Sequence, residues 1–426
     1  MCHEYVDYQV NSEGQQCDND DFFLRCQGSR WHSCHYRSHN KKGLLVWTWV
    51  YLIIIPVKQL IVNINYIIRN KINYILVHIL YCLVKLSYVW FSYGEFRMRV
   101  SDNFSNISCL TQRDILLSLP EHAEVAANID LEDIPASKKI CLFGVGESSI
   151  AGDIISAYAD DYSKIPVPNI TSEIVPNWVD KDTDTILVSH SGNNIIINSV
   201  YDFLKERGCR IYCIVNKGRL MEKCRQDNNK LFAIPEGLTA RSALGFELGI
   251  LSVLVERMGI CDTKSKLIET IPLIKEYRDS LFTDERIYNL KFKLHDKTIA
   301  VYGSPDFRAS FKRWKMSLNY DMGSPSFYGE LPEFNHNEIV GWANHNQDDE
   351  DLRIVMLRGK YKSIVLTKII DTTMEVLEES GRHVIDVKIL GSNPIEKNMR
   401  AILLADYLSQ MIEMESRNPM SWGESL

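Results

Sequence analysis

The chain has 426 residues, of which 45% are hydrophobic and 24% are charged, and its formal net charge is −7. This is the composition of a globular protein with two or three domains, and it excludes a mostly disordered chain or a protein that crosses the membrane many times. Because the acidic balance provides no overall positive field, we expect no nucleic-acid partner.

The first 97 residues differ in composition from the rest and form an atypical N-terminal extension. Residues 1–43 are polar and contain cysteines and histidines, but not in the close pairs that structural zinc sites use, so we predict no metal site. Residues 44–94 are apolar and contain basic but no acidic residues. A membrane span needs about 20 apolar residues in succession, and Lys58 interrupts the best window.

The origin of this extension has three possible explanations. Its richness in Ile, Asn, Tyr and Lys is typical of translated AT-rich DNA, which favours an over-extended start and makes Met98 an alternative first residue. A membrane anchor through residues 44–94 and a soluble extension are the other two. We expect a cytoplasmic protein, attached to a membrane only if residues 44–94 belong to it.

From residue 138 onward, short apolar runs alternate with amphipathic helical segments, and the pattern restarts near residue 262. Strands that alternate with helices predict an α/β fold, with mostly parallel sheets covered on both faces. We place two domains at residues 98–261 and 262–426. The predicted strands are 139–144, 185–189, 210–215, 231–234, 298–303, 353–357 and 383–389, and the predicted helices are 148–159, 195–207, 240–258, 306–321, 364–380 and 395–414.

Two loops that follow predicted strands have the composition of phosphate-binding loops. The first is GVGESS (residues 144–149), where glycines allow close backbone approach and the following helix start favours an anion. The second is SHSGNN (residues 189–194), whose small polar side chains can donate hydrogen bonds to phosphate oxygens. A tight turn and simple helix capping are the structural alternatives. Since both loops point to the carboxyl edge of one sheet, we predict a phosphorylated small molecule as ligand.

Four passages resemble the archaeal-type bifunctional phosphoglucose/phosphomannose isomerase family, which is built from two sugar isomerase (SIS) domains. GVGESSIAGD (residues 144–153) resembles the family's GMGGSAIAGD, and SHSGNN resembles SYSGNT. EGLTARSALGFELG (residues 236–249) resembles the segment P-G-x-x-x-R-x-A-x-G. The longest match is RWKMSLNYDMGSPSFYGELPEFNHNEIVGW (residues 313–342). The resemblance covers about residues 100–420 and implies two SIS-type domains, each with a flavodoxin-like sheet.

The resemblance implies an aldose–ketose isomerase that converts glucose 6-phosphate or mannose 6-phosphate into fructose 6-phosphate through an enediol, without a metal or redox cofactor. Arg241 aligns with the arginine that stabilises the enediolate. His336 aligns with the ring-opening histidine, which in the family reaches a partner subunit's site, so the resemblance also implies a homodimer. The residues expected to bind the phosphate are Gly146, Ser148, Ser189, Ser191 and Asn194.

Two features depart from the family pattern. The family's catalytic base is a glutamate, whereas this chain has Tyr320 at that position. Tyrosine has a reference pKa of about 10 and is a poor base near neutral pH, so we consider the adjacent Asp321 as a replacement. The family also has a functional lysine near its C-terminus, but no lysine follows Lys397 here.

These departures leave more than one function open. We predict a phosphosugar isomerase, with a catalytically impaired sugar-phosphate-binding protein on the same scaffold as the alternative. A third possibility is aldose–ketose isomerisation of another phosphosugar.

Overall fold

The computed structural model describes residues 111–131, 134–344, 351–361 and 363–413, with side chains to residue 411. The chain divides after Arg97 into two units, and every described residue belongs to the second, Met98–Leu426. The predictions for residues 1–97, including the apolar segment 44–94, therefore lie outside the described residues. Within the described ranges, no helix combines the length and the apolar character needed to cross a bilayer.

The first sheet has five parallel strands in the order β2-β1-β3-β4-β5. The central strands β1 and β3 are buried along their whole length, as expected for a parallel sheet covered on both faces. The strands are β1 (Ile140–Gly144), β2 (Asn169–Ile170), β3 (Asp184–Ser189), β4 (Arg210–Val215) and β5 (Lys230–Ala233).

The helices of this half cover both faces of the sheet, and the last of them is almost entirely buried. This helix packs closely on α2 through Gly245 and Gly249. A Cβ atom at either glycine would lie 2.5 Å from the Cβ of His122 or Ala126, so only glycine permits this approach. The helices are α1 (Gln112–Leu117), α2 (Leu119–Ala127), α3 (Ile150–Tyr162), α4 (Ile195–Glu206), α5 (Arg219–Gln226) and α6 (Leu244–Arg257).

The second sheet is also parallel and has the order β7-β6-β8-β9, which repeats the order of the first sheet without its last strand. Both orders follow the flavodoxin pattern. The strands are β6 (Thr298–Gly303), β7 (Ser326–Glu330), β8 (Leu352–Arg358) and β9 (Val384–Lys388). The helices are α7 (Thr263–Leu281), α8 (Glu285–Leu294), α9 (Arg308–Asp321), α10 (Glu338–Asn344), α11 (Ile364–Glu379) and α12 (Pro394–Glu413).

The predicted fold class, α/β with two parallel sheets flanked by helices, is confirmed. Helix α9 buries Phe311, Trp314 and Leu318 along one stripe, and Phe307, just before the helix, is buried too. The short strands β2 and β7 were not predicted. β2 has only two residues, and β7 exposes most of its side chains, so neither forms an apolar run.

The predicted start of helix 240–258 is wrong, because α6 begins only at Leu244. The preceding residues form a turn in which the Ser242 hydroxyl accepts a hydrogen bond from the Thr239 amide at 2.9 Å. Serine and threonine side chains that bond to nearby backbone compete with helix formation in this way. This turn matters for function because it contains Arg241.

One hydrophobic cluster extends through both halves of the described chain, from Leu142 of β1 to Val301 of β6. Helix α7 contributes to it and packs against α2, α6 and α12. The domain boundary at residues 261/262 therefore lies within a continuous core and stays a prediction.

Candidate functional site

The first predicted phosphate loop forms a tight turn between β1 and α3. Gly146 has a φ of +61°, which is unfavourable for residues with a side chain, and it begins a 3-10 turn over Gly146–Ser149. The Ser149 hydroxyl closes this turn by donating to the Gly146 carbonyl at 2.8 Å. Gly146 is exposed and Glu147 is partly exposed at the carboxyl end of β1.

The second predicted loop lies at the carboxyl end of the neighbouring strand β3. Gly192 has a φ of +66°, and a Cβ atom here would lie 1.8 Å from the Lys217 carbonyl oxygen. The Asn194 amide oxygen caps α4 by accepting from the Ile197 amide at 3.1 Å, so the capping alternative holds for that oxygen. Ser189 is buried, whereas Ser191 is exposed.

Ser148 joins the two loops to the buried helix α6. Its hydroxyl accepts a hydrogen bond from the His190 amide at 3.1 Å and donates one to the Glu247 carboxyl at 3.0 Å. Glu247 is completely buried, and its Oε2 has no hydrogen-bond partner among the described residues. Burial raises the pKa of Glu247 to about 8, so this carboxyl group is mostly protonated at neutral pH. Glu247 was not predicted as a site residue, although an acid within the apolar run of α6 was a visible signal.

Arg241 is held by side chains from the second half of the chain. Its Nη1 donates to both Asp321 oxygens, at 2.6 and 2.7 Å, and its Nη2 donates to Asp406 at 2.9 Å and to Ser317 at 3.0 Å. Arg241 is 7% exposed. Burial opposes the charged form, but the two aspartates outweigh it and raise the pKa of Arg241, so the guanidinium stays charged.

A second arginine, Arg313 of α9, completes this cluster and was not predicted as a site residue. It is 1% exposed, and it donates to Asp406 at 2.8 Å and to the Arg241 carbonyl at 3.2 Å. Burial would raise the pKa of Asp406, but Arg313 and Arg241 lower it below the usual range. Asp406 is therefore ionised and shared between two guanidinium groups.

Glu147 connects the ion-pair cluster to the first loop. Its Oε2 lies 3.3 Å from Arg313 Nη1, and its side chain is 20% exposed. Burial raises the pKa of Glu147, and Asp406 and Asp321 add to this effect, while Arg313 and Arg241 oppose it. In the family pattern this position is a glycine, so the substitution was visible in the sequence.

The structure brings most of the predicted site residues together. The phosphate-loop residues lie at one sheet edge, and Arg241 and Asp321 are in direct contact and are linked to that edge through Arg313 and Glu147. Tyr320 is not part of this group, because its side chain is 69% exposed. His336 lies exposed in a turn after β7 and makes no hydrogen bond or ion pair within the described ranges.

The same described residues contain no group of three or more His, Cys, Asp and Glu side chains that could hold a metal ion. The acids of the cluster are paired with the two arginines instead. The arrangement thus combines the two predicted phosphate loops, fixed positive charge and carboxyl groups of different protonation state. Acid–base chemistry on an anionic ligand requires groups of these kinds.

Comparisons with known proteins agree with this description. The family model of the bacterial phospho-glucose isomerase C-terminal SIS domain matches residues 284–420. A bifunctional phosphoglucose/phosphomannose isomerase from Aquifex aeolicus is 28% identical over 281 residues, covering 65% of this chain and 85% of the relative. The enzyme of that name from Caldicellulosiruptor bescii is 28% identical over 292 residues, covering 67% and 85%.

Residues 284–420 thus match a phospho-glucose isomerase C-terminal SIS domain, and the chain as a whole is similar to bifunctional phosphoglucose/phosphomannose isomerases. Among solved structures, the C-terminal domain of glucosamine-fructose-6-phosphate aminotransferase from Francisella tularensis superimposes with a TM-score of 0.57 at 13% identity, over 71% of this chain and 98% of that one. At this identity the similarity concerns the fold alone. The family match to residues 284–420 includes β6 through α12, so it covers the part of the chain that supplies Arg313, Asp321 and Asp406.

Proposed function

We propose that this protein is a phosphosugar isomerase that interconverts glucose 6-phosphate, mannose 6-phosphate or both with fructose 6-phosphate through an enediol. The observation that carries the proposal is the position of Arg241, buried and charged, beside two glycine- and serine-containing loops at one sheet edge. In the proposal Gly146, Ser148, Ser189, Ser191 and Asn194 hold the phosphate with their backbone and side-chain donors.

The reaction needs positive charge near the developing enediolate and groups that open the ring and move a proton. Arg241, Asp321 and His336 are our candidates for the catalytic groups. Arg241 is fixed in place by Asp321, so the aspartate supports its orientation. Exposed His336 fits a contribution to a partner's site, and we propose a homodimer that acts in the cytoplasm on a phosphorylated hexose.

A catalytically impaired sugar-phosphate-binding protein is the second candidate. Two observations favour it: Tyr320, at the family's base position, is largely exposed, and the charge of Arg241 is already opposed by Asp321 and Asp406. Such a protein would retain the phosphate loops and lack turnover.

A coupled assay on the full chain tests both candidates. Fructose 6-phosphate is supplied, formation of glucose 6-phosphate and of mannose 6-phosphate is followed separately, and binding is measured by calorimetry. We expect turnover of at least one aldose phosphate. Binding without turnover would support the second candidate, and the absence of both would contradict the proposed ligand class.

A further inference from the structure

The carboxyl groups around Arg241 differ in how firmly they are engaged. Asp321 accepts two bonds from Arg241 and one from Gln410 at 3.3 Å. Asp406 accepts from Arg241, Arg313 and Ser317 and is 2% exposed. Glu247 is completely buried beneath Ser148. Asp321, Asp406 and Glu247 are therefore more buried than Glu147, and Asp321 and Asp406 accept more hydrogen bonds than it does.

Glu147 differs from all three in its access and in its bonding. Among the described residues its one ion pair, to Arg313, is long at 3.3 Å, and a fifth of its side chain remains exposed. It immediately precedes Ser148, whose hydroxyl touches the His190 amide between Ser189 and Ser191. The carboxylate reaches from the first predicted phosphate loop to Nη1 of Arg313, whose Nη2 donates to the Arg241 carbonyl at 3.2 Å.

We propose that Glu147 is the catalytic base that moves the proton between C1 and C2 of the substrate, in place of the acid that the family has where this chain has Tyr320. This inference rests on the proposed isomerase function and assigns its missing base. It explains how an isomerase of this family could function with an exposed tyrosine at the usual position.

The proton transfer needs no further reactant. The Glu147 carboxylate removes the proton from C2 of the open-chain aldose, the C–H electron pair forms the C1=C2 bond, and the carbonyl pair moves to O1, which takes a proton from water. Glu147 then returns its proton to C1, while O2 loses its hydroxyl proton to water and becomes the ketose carbonyl. Atoms and charge balance, and the enzyme ends in its starting state.

The charges that face Glu147 suit both of its protonation states. Arg241 and Arg313 carry two positive charges, Asp321 and Asp406 carry two negative ones, and Glu247 lies nearby. When Glu147 is protonated, the positive charges of the two arginines and the negative charges of the two aspartates cancel. When it is ionised, Arg313 still neighbours it. Burial favours the protonated form and raises the pKa of Glu147. A general base works best when its pKa lies near the working pH.

The test compares Glu147→Gln with Glu206→Gln, the same change on the exposed face of α4, in the full chain. Loss of a general base costs about 10²–10⁴-fold in rate. We therefore expect kcat to fall at least 100-fold in E147Q, with KM for fructose 6-phosphate changed less than threefold. Exchange of solvent deuterium into the substrate carbon should fall by the same factor. E206Q should match the wild type in all three.

The pH profile and a second variant make the result decisive. The kcat of the wild type should fall at acidic pH as Glu147 takes up a proton, and E147Q should lack this acidic limb. If circular dichroism shows that E147Q does not fold, Glu147→Asp replaces it in the test. The shorter side chain should move the carboxylate away from the substrate and lower kcat at least tenfold. Unchanged kcat and exchange in E147Q, or in E147D in its place, would overturn the inference while the isomerase proposal stands. An inactive wild type would instead refute the isomerase proposal.

Discussion

The two sheets share a strand order but differ at the carboxyl edge, where open α/β sheets bind ligands. In the first sheet, this edge has loops with left-handed glycines and small polar side chains. In the second, the loop after β6 is closed by Lys397, which donates to Asp306 at 2.6 Å and to the Lys360 carbonyl at 2.9 Å. The same strand order is thus found with an edge that leaves room for an anion in the first sheet, and with an edge filled by Lys397 in the second.

The second half contributes to the site in another way. Its helices α9 and α12 supply Arg313, Asp321 and Asp406, which surround Arg241 from the first half. The difference teaches that strand order does not decide function in this fold, because the loops and the helix faces do. In the proposed function, one half provides the binding edge and the other a source of fixed charge.

Removal of Arg241 should have the largest effect, because it breaks a buried ion-pair link between the halves. In Arg241→Ala, Asp321 loses its cation and Asp406 keeps only Arg313, and loss of one partner from a buried ion pair costs about 3–5 kcal/mol. We expect turnover to vanish and the free energy of unfolding in urea to fall by about that amount.

The matched control is Arg257→Ala, since Arg257 forms an exposed ion pair with Asp130 at 3.4 Å. Exposed pairs contribute at most about 1 kcal/mol. Equal stability of R241A and R257A would show that the two halves do not depend on this cluster.

Glu247 should make the stability of the site depend on pH. Its pKa is near 8 in the folded state, against an ordinary value of about 4.5. Between these values the folded chain holds a proton that the unfolded chain lacks, so wild-type stability should fall as the pH rises, with a slope of up to about 1.4 kcal/mol per pH unit.

Glu247→Gln should remove this contribution, because the amide does not titrate and can still accept from Ser148. Urea unfolding of both proteins at several pH values from 5 to 9 measures the difference. The gap between them should widen in favour of the variant as the pH rises. A constant gap would mean that Glu247 is not protonated in the folded state.

Gly192→Ala tests the geometry of the open edge. The new Cβ would meet the Lys217 carbonyl oxygen at 1.8 Å, in addition to the cost of a positive φ. We expect a loss of about 3 kcal/mol in stability and weaker binding of fructose 6-phosphate, measured by urea unfolding and calorimetry.

Gly381→Ala in the second half is the control for backbone strain alone. It has a φ of +74° but nothing within 4 Å of the new Cβ. We expect about 1 kcal/mol for it and no change in ligand binding. If both variants lost stability equally, the close contact at Gly192 would not matter.

Lys397→Met tests the filled edge, with the smallest expected effect. Asp306 would lose a charged hydrogen-bond donor, at a cost of about 1.5–3 kcal/mol in the free energy of unfolding. Because the second edge has no part in the proposed binding site, kcat and KM should stay at wild-type values. A large rise in KM would show that this edge also contacts the substrate.

The sequence by itself determined most of the fold. Alternation of apolar runs with amphipathic helices predicted both parallel sheets, because buried central strands such as β3 must be continuously apolar. It also placed the two loops at one edge, since parallel strands that neighbour each other end on the same side. It did not predict β2, β7 or the delayed start of α6, which depend on pairing and on a local side-chain turn rather than on periodicity.

Only the tertiary structure decided how the charged residues are engaged. Arg241, Arg313, Asp321 and Asp406 come from separate segments, and no local pattern reveals that they share hydrogen bonds. The same holds for Glu247, whose pKa depends on complete burial, and for Tyr320, whose exposure depends on the face that α9 presents. Burial and long-range pairing set the charge and access of a side chain, and both arise only when the chain is folded.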